Sequence, residues 1–292
     1  MDPSKADLQF KKVLLGVDYS SCAETAFPHA LAMAKSFGGI LYLVHITTPD
    51  VYGYAPEQSS PGLFEQIRKN AREQMAEFTA KVNFEGVPFQ TLFGEGEVWD
   101  TMERMLAEHG IDLIVVSTHG RRGLKKLVMG SVTEEIIRVA TVPVLTVGPH
   151  CSQSEGIAYR TILHPTDFST QAAAAQQAAE SLAEKFDATL VLLHAGEAAI
   201  AEDVKKRTRE DARLAAKLEA LMPAKPTFRH KVHVHYGHPG EEILKSAAEY
   251  KADLIVMNVR GAGSTPRFST AFGSVAHHVV SQSPCPVLSL RG

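Results

Sequence analysis

Two stretches of the 292-residue chain, SVTEEIIRVATVPVLTV at 131–147 and SVAHHVVSQSPCPVLSL at 274–290, follow the same pattern. Each follows a glycine, begins with Ser-Val, continues with a helix-like segment and ends in an apolar run beside a proline. The two stretches lie 143 positions apart. A repeat at this distance predicts that the chain contains two copies of one structural unit.

Three further pairs of segments extend the repeat toward the amino end. KKVLLGVDYSS (11–21) matches RTILHPTDFST (160–170), and ILYLVHI (40–46) matches TLVLLHA (189–195), both at an offset of 149. GIDLIVVSTHG (110–120) matches KADLIVMNVRG (251–261) at an offset of 141. Because the offsets change only between segments, duplication followed by loop-length change explains them. We predict a first domain at 1–149, a linker at 150–156 and a second domain at 157–292.

Each copy alternates short apolar runs with helix-like segments, beginning and ending on a strand. DLIVVST (112–118) is continuously apolar, which is typical of a parallel strand covered on both faces. This alternation predicts an α/β fold with two tandem, doubly wound, five-stranded parallel-sheet domains. The spacing of Ser21 and Glu24 predicts a capping box at the start of the first helix, which ends at Gly38-Gly39. Pro28 lies inside that helical pattern, where it is expected to bend the helix or shift its start.

The composition is that of a soluble globular protein, with 45% hydrophobic and 22% charged residues and a net charge of −3. This charge gives no bulk attraction to nucleic acid or to a membrane surface. The chain has no apolar run of the roughly 20 residues that span a bilayer, and no apolar leader, so we expect a cytoplasmic protein. Cys22, Cys151 and Cys285 are too widely spaced for a disulfide scaffold and are expected to be reduced, buried thiols.

Ligands of doubly wound sheets bind beyond the carboxyl ends of the strands, where the strand order reverses. This rule predicts one rim at Asp18, His45-Ile46 and the 117–131 loop, and a second at Asp167, His194-Ala195 and the 258–274 loop. In STHGRRGLKKLVMGSV (117–132), glycines follow a strand and Gly130-Ser131 opens the next helix. The free amides of such a helix start form an anion site, although a loop that needs glycine only for its turns has the same local sequence.

With these motifs, the chain resembles a tandem member of the universal stress protein family. Nucleotide-binding members of that family carry G-x2-G-x9-G-[ST] after the fourth strand, and Ser117-x2-Gly120-x9-Gly130-Ser131 keeps this spacing with serine in place of the first glycine. An acidic residue ends strand one of the family, as Asp18 does here, and a His-plus-apolar pair ends strand two. The resemblance implies an adenine nucleotide alpha hydrolase-like fold whose two halves form a pseudo-dimer through their last strands.

The resemblance also implies which residues contact a nucleotide in the first half. Those assigned to the nucleoside are Gly16, Val17, Asp18, Ile46, Val116 and Ser117. Those assigned to the phosphates are Gly120, Gly130, Ser131 and Val132.

The second half departs further from the family pattern. Asn258-x2-Gly261 is followed by eleven residues before Gly273-Ser274, two more than the family has, and Pro266 lies in the extra length. We expect an altered site there. Its weaker candidate residues are Pro165, Asp167, Ala195, Gly261, Gly273 and Ser274.

These features predict a cytoplasmic stress-response protein that binds adenine nucleotide chiefly in its first half. ATP is the first choice over ADP or AMP, with Mg²⁺ as a companion ion, and the output is regulatory, through an unidentified protein partner and a homodimer. One alternative is an interaction scaffold with vacant sites. Another is a slow ATP hydrolase, but no carboxylate is placed to orient His119, and we assign no catalytic residue.

A histidine-rich stretch, RHKVHVHYGH, occupies 229–238. His233 and His235 project from the same face of the predicted strand, so they are candidate ligands of one metal ion. No cysteine or carboxylate accompanies them at a metal-site spacing. Histidines that face solvent or make hydrogen bonds are the alternative, and for His45 and His194 we expect a shared structural role.

Overall fold

A computed structural model describes residues 8–48, 61–118, 129–151, 156–197, 199, 204–259 and 273–291. The strands of the first half are β1 (Lys12–Gly16), β2 (Ile40–Thr47), β3 (Phe89–Glu95), β4 (Leu113–Ser117) and β5 (Val144–Val147). Its helices are α1 (Ser21–Ser36), α2 (Pro61–Lys81), α3 (Val98–His109) and α4 (Ser131–Val139).

The second half repeats this order of elements. Its strands are β6 (Thr161–Pro165), β7 (Thr189–Gly196), β8 (Arg229–Tyr236), β9 (Leu254–Asn258) and β10 (Val287–Leu290). Its helices are α5 (Ala172–Phe186), α6 (Val204–Glu219), α7 (Pro239–Glu249) and α8 (Ser274–Gln282). None of the helices in the described ranges is both long and apolar enough to cross a membrane.

The described strands form one ten-stranded sheet in the order β3-β2-β1-β4-β5-β10-β9-β6-β7-β8. Within each half the neighbouring strands are parallel. Helices α1, α2, α5 and α6 cover one face of the sheet, and α3, α4, α7 and α8 cover the other. The predicted doubly wound α/β fold is therefore confirmed. The strand order reverses between β1 and β4 and between β6 and β9, so the two expected rims lie above these strand pairs.

The two halves join through their last strands. β5 and β10 pair antiparallel, with Thr146 opposite Val287 and Val144 opposite Ser289. The Thr146 hydroxyl also donates to the Val287 carbonyl at 3.1 Å. This confirms the predicted pseudo-dimer. Because the strands are antiparallel, the carboxyl end of β5 lies beside the segment that precedes β10.

Aromatic side chains pack where the two halves meet. Phe10 packs on Phe37 with ring centroids 5.3 Å apart, and Tyr159 packs on Phe186 at 5.1 Å. Phe37 and Phe186 then contact each other across the pseudo-two-fold axis at 6.4 Å. Phe10 and Tyr159 occupy equivalent positions in the two copies, as do Phe37 and Phe186, so the duplication supplies both sides of this contact.

The start of α1 differs from the prediction by one residue. The N-cap is Ser20, whose hydroxyl accepts the amide of Ala23 at 3.3 Å, and not Ser21 of the expected capping box. Ser20 is the better cap because the preceding turn, held by the Asp18 carboxylate, sets its extended conformation. Pro28 lies within α1, and it removes one hydrogen bond of the helix ladder without moving the helix start.

Candidate functional site

The first-half rim lies where β1 and β4 diverge. A Cβ on Gly16 would lie 3.2 Å from Cγ1 of Val116, so the two residues are neighbours on the face covered by α3 and α4. Ile46, at the end of β2, packs on this face as well. The sheet therefore brings three of the predicted nucleoside contacts to one surface. Val17 points the other way and is buried among the residues beneath α1.

Asp18 is held in a turn at the amino end of α1. One carboxylate oxygen accepts the amide of Ser20 at 3.0 Å and its hydroxyl at 2.6 Å. Asp167 accepts the amide of Ser169 at 2.9 Å in the same way. Tyr19 and Phe168, which follow the two aspartates, both adopt a left-handed φ of 61°. The two copies therefore share this turn down to its backbone conformation.

His45 holds the end of β1. Its Nδ1 lies 2.8 Å from the carbonyl of Val17, and since a carbonyl only accepts, Nδ1 carries the proton. Its ring packs on Tyr19 at 4.4 Å. His194 makes the same bond to Thr166 at 2.8 Å and packs on Phe168 at 4.5 Å. The expected structural role shared by these two histidines is confirmed.

The start of α4 faces the end of β4. The amide of Gly130 donates to the carbonyl of Thr118 at 2.9 Å, and the Thr133 hydroxyl donates to the carbonyl of Ser117 at 2.8 Å. The first ladder bond of α4 runs from the amide of Glu134 to the carbonyl of Gly130. The amides of residues 131–133 therefore lie outside the helix ladder, at the positive end of the helix dipole.

Gly130 has no conformational need to be glycine. Its φ of −65° and ψ of 143° are accessible to every residue. A Cβ there would meet, among the described atoms, the Thr118 carbonyl oxygen at 3.7 Å, an ordinary contact. The equivalent Gly273 is different, because its Cβ would lie 3.1 Å from the carbonyl oxygen of Val259. Crowding within the described protein accounts for glycine at 273 but not at 130.

The remaining predicted residues are placed as follows. Ser131 and Val132 are exposed at the start of α4, and Ser274 is exposed at the start of α8. Pro165 ends β6 in the place of Gly16, and Ala195 is half-buried near the end of β7. Gly120 and Gly261 lie outside the described residues, as do His119 and Pro266.

Two features of the rims were not found from the sequence. Thr133 fastens α4 to β4, and its counterpart is Ala276; comparison of the two copies would have shown this difference. In the second half the Asn258 amide donates to the carbonyl of Gln171 at 2.8 Å, which ties β9 to α5 instead. Asn258 is the counterpart of Ser117, the serine that departs from the family pattern, and its side chain donates this hydrogen bond.

The histidine-rich stretch forms β8. The rings of His233 and His235 are 6.5 Å apart, with 75° between their planes. Nδ1 of His235 lies 3.2 Å from the Ser246 hydroxyl and 3.4 Å from a carboxylate oxygen of Glu242. His233 stacks on Tyr250 at 4.4 Å. In the described ranges, no group of three or more His, Cys, Asp or Glu side chains is arranged to hold a metal ion.

The three cysteines are free thiols. Cys151 and Cys285 are buried, and burial raises the pKa of each thiol to about 12. Cys22 is only partly buried, and its pKa is raised by burial and by the nearby Asp18 carboxylate. The expectation of buried thiols is confirmed for two of the three, and all three are weak nucleophiles at neutral pH.

Two cavities lined by described residues lie away from the helix starts. One of about 300 Å³ lies between Lys11, Phe37 and Glu184, where the halves meet. The other, of about 220 Å³, is lined by His29, Ile157 and Cys285, beside the start of β10. Neither is bounded by Gly16, Val116 or Gly130, so the candidate site rests on the geometry of the rim.

A sequence profile of the universal stress protein family matches residues 9–148 and 158–291. The chain belongs to the universal stress protein family. The double match confirms the resemblance inferred from the motifs, and it covers nearly the whole chain.

Some universal stress proteins match about half of the chain, and others match both halves. The chain is 29% identical over 146 residues to universal stress protein YxiE of Bacillus subtilis, covering 47% of this chain and 99% of that protein. It is 35% identical over 141 residues to the universal stress protein in the QAH/OAS sulfhydrylase 3′ region of Thermus aquaticus, covering 46% and 99%. The crystal structure of a universal stress protein from Archaeoglobus fulgidus DSM 4304 superposes with a TM-score of 0.72 at 22% identity, over 97% of this chain and 99% of that one. That structure shares the fold of both halves of this chain.

Proposed function

We propose that this universal stress protein binds adenine nucleotide, with ATP preferred over ADP or AMP, at the rim of its first half. Gly130 carries the proposal. It stands at the amino end of α4 in an ordinary backbone conformation, and no described atom crowds the position of a Cβ. A site where the backbone must approach a phosphate explains a glycine that the described part of the fold does not require.

The chemistry around Gly130 fits the phosphates of a nucleotide. The amides that follow it lie outside the helix ladder, and the exposed Ser131 hydroxyl adds a donor. Gly120 and the cationic 121–126 segment belong to the same loop in the sequence and would supply further phosphate contacts. Mg²⁺ would neutralise charge on the phosphates of bound ATP.

The nucleoside would lie on the surface formed by Gly16, Ile46 and Val116. These residues share one face of the sheet where the strand order reverses, which is the ligand position in doubly wound folds. Because Gly16 has no side chain, it would leave room for the nucleoside between β1 and β4. Asp18 stands at the same edge and offers a carboxylate to a ribose hydroxyl.

The second half is proposed to contribute mainly as a structural partner. Pro165 replaces Gly16, and the side chain of Asn258 is bonded to α5. Gly273 is explained by its contact with Val259, so no ligand is needed to account for it. Its domain is placed at 157–292, after the first domain at 1–149 and a linker at 150–156.

The proposed output is regulatory. Nucleotide occupancy would alter contact with a protein partner, by as much as the nucleotide favours one state of the protein over the other. We place the protein in the cytoplasm and propose that two chains associate. An interaction scaffold with vacant sites is the principal rival.

A matched pair of variants tests the nucleotide proposal. Purified protein is analysed by native mass spectrometry for co-purified nucleotide, and then by calorimetric titration with ATP, with and without Mg²⁺. Gly130→Ala should weaken ATP binding at least tenfold, a loss of about 1.4 kcal/mol, while Gly273→Ala leaves it unchanged. Because no described atom crowds a Cβ at this position, the unfolding free energy of the Gly130→Ala variant should stay within about 1 kcal/mol of wild type.

The outcomes separate the rival functions. Undiminished binding by Gly130→Ala would place the phosphates elsewhere. A wild-type protein that neither carries nor takes up ATP would favour the scaffold. Release of ADP during incubation, measured by chromatography, would instead identify the slow hydrolase.

A further inference from the structure

The two outer edges of the ten-stranded sheet differ. β3 and β8 are equivalent strands, and each ends the described sheet on one side. On the face of β3 that bears α2, Phe89, Thr91 and Phe93 are all exposed, with 41% and 39% of the two phenylalanines accessible. Exposed aromatic residues on an edge strand invite pairing with another strand.

At the equivalent positions of β8 the side chains are less exposed. His230, Val232 and Val234 are half-buried, and His230 is bonded to Glu219 of α6 at 2.9 Å. The strand also carries the exposed cations Arg229 and Lys231. A charged edge strand resists pairing with a second copy of itself, so of the two outer strands of the described sheet β3 is the better candidate for association.

β3 presents backbone amides and carbonyls on the side away from β2. The amide of Leu41 donates to the carbonyl of Pro88, and that of Gly96 donates to the carbonyl of Thr47. The backbone amides and carbonyls of the even-numbered residues of β3 therefore bond to β2. Since successive residues alternate in direction, the amides and carbonyls of 89, 91 and 93 point outward, away from every described strand.

We infer that β3 pairs antiparallel with β3 of a second copy of this chain, about a two-fold axis at Thr91. This rests on the proposed association of two chains and specifies where it occurs. Pairing Thr91 with Thr91 sets Phe89 of each copy beside Phe93 of the other, on the same face of the joined sheet. The three outward residues of each strand then form hydrogen-bonded pairs, and the aromatic side chains become cross-strand neighbours.

The ion pairs beside the two ends of β3 are each balanced in charge. Arg68 is paired with Glu95 at the carboxyl end, and Lys35 is paired with Glu85 beyond the amino end. Antiparallel pairing brings the Arg68–Glu95 end of one copy to the Lys35–Glu85 end of the other, so two balanced ion pairs meet and neither pair brings a net charge to the contact. The chain already joins its own halves by antiparallel pairing of the equivalent strands β5 and β10.

Sedimentation of the full-length chain over a range of concentrations tests this contact. Thr91→Pro removes only an outward amide, which an edge strand tolerates, and should raise the dimer dissociation constant at least tenfold. Phe93→Lys should do the same through charge. The matched control is Val232→Pro, at the equivalent outward position of β8, which should leave the dimer intact.

Each result supports or overturns the inference. Dissociation by both β3 variants, with the control unchanged and all circular dichroism spectra native, supports it. If the dimer survives both β3 variants, or if the control variant dissociates it equally, the β3 contact is overturned. The proposed association of two chains would still stand. A wild-type monomer at every concentration overturns both. ATP titration of the same samples is independent, so failure of this inference leaves the nucleotide proposal standing.

Discussion

His29 and Tyr159 lie 130 positions apart in the sequence, yet Nδ1 of the first is 3.0 Å from the hydroxyl of the second. Both side chains are almost completely buried. His29 belongs to α1 of the first half, while Tyr159 precedes β6 of the second, so the bond links the two domains. Burial also raises the pKa of the Tyr159 hydroxyl well above its ordinary value, which keeps the proton available for this bond.

Replacing Tyr159 with phenylalanine should therefore destabilise the whole chain. The ring fits, since Phe10 occupies the equivalent position in the first half, but a buried hydrogen bond is lost at a cost of about 1–3 kcal/mol. Urea unfolding measures the change. In a His29→Ala background the same replacement should cost much less, and equal costs in both backgrounds would show that the bond contributes nothing.

His164 should make the protein acid-sensitive. It is fully buried in β6 and bonded through Nδ1 to the Val256 carbonyl at 2.9 Å, and burial lowers its pKa to about 4. The unfolded chain takes up a proton near pH 6.5, whereas the folded one does so only near pH 4. Stability should therefore fall as the pH drops through this window, by about 3 kcal/mol for this residue.

The control for His164 comes from the first half, where Leu15 stands at the equivalent position. His164→Leu should reduce the difference in urea midpoint between pH 7 and pH 4.5, whatever its cost at pH 7. An unchanged pH slope would mean that other groups cause the acid sensitivity.

Variants of His45 and His194 should separate effects on folding stability from effects on nucleotide binding. Each fastens the end of a first strand through one hydrogen bond, so His45→Ala and His194→Ala should each cost about 1 kcal/mol in unfolding free energy. If the nucleotide binds in the first half, only His45→Ala should weaken ATP binding in calorimetric titration. Equal weakening by His194→Ala would point to a site in the second half.

Zinc should not stabilise the chain through β8. The His233 ring stacks on Tyr250, and Nδ1 of His235 lies near Ser246 and Glu242, so both rings already have protein neighbours. Addition of equimolar Zn²⁺ should shift the melting temperature by less than about 1 °C, since no binding means no linked stabilisation. A larger rise that disappears in a His233→Ala, His235→Ala double variant would contradict this.

The sequence was a good guide to local structure but a poorer one to side-chain partners. The apolar run DLIVVST (112–118) predicted β4 to within one residue at each end, because burial imposes a regular pattern on neighbouring positions. The cap of α1 was misplaced because the capping-box spacing to Glu24 fits Ser21, whereas the turn at Asp18 makes Ser20 the N-cap.

The sequence alone determined the duplication, the α/β class, the strand ends that form the rims and the family, because these depend on residue type and spacing. Only the tertiary structure decided that Gly16, Ile46 and Val116 share a face while Val17 lies opposite. It also decided that no described atom crowds a Cβ at residue 130 and that β3 ends the described sheet with two exposed phenylalanines. These facts depend on how distant segments pack, and a periodic pattern along the chain carries no information about which distant atoms come into contact.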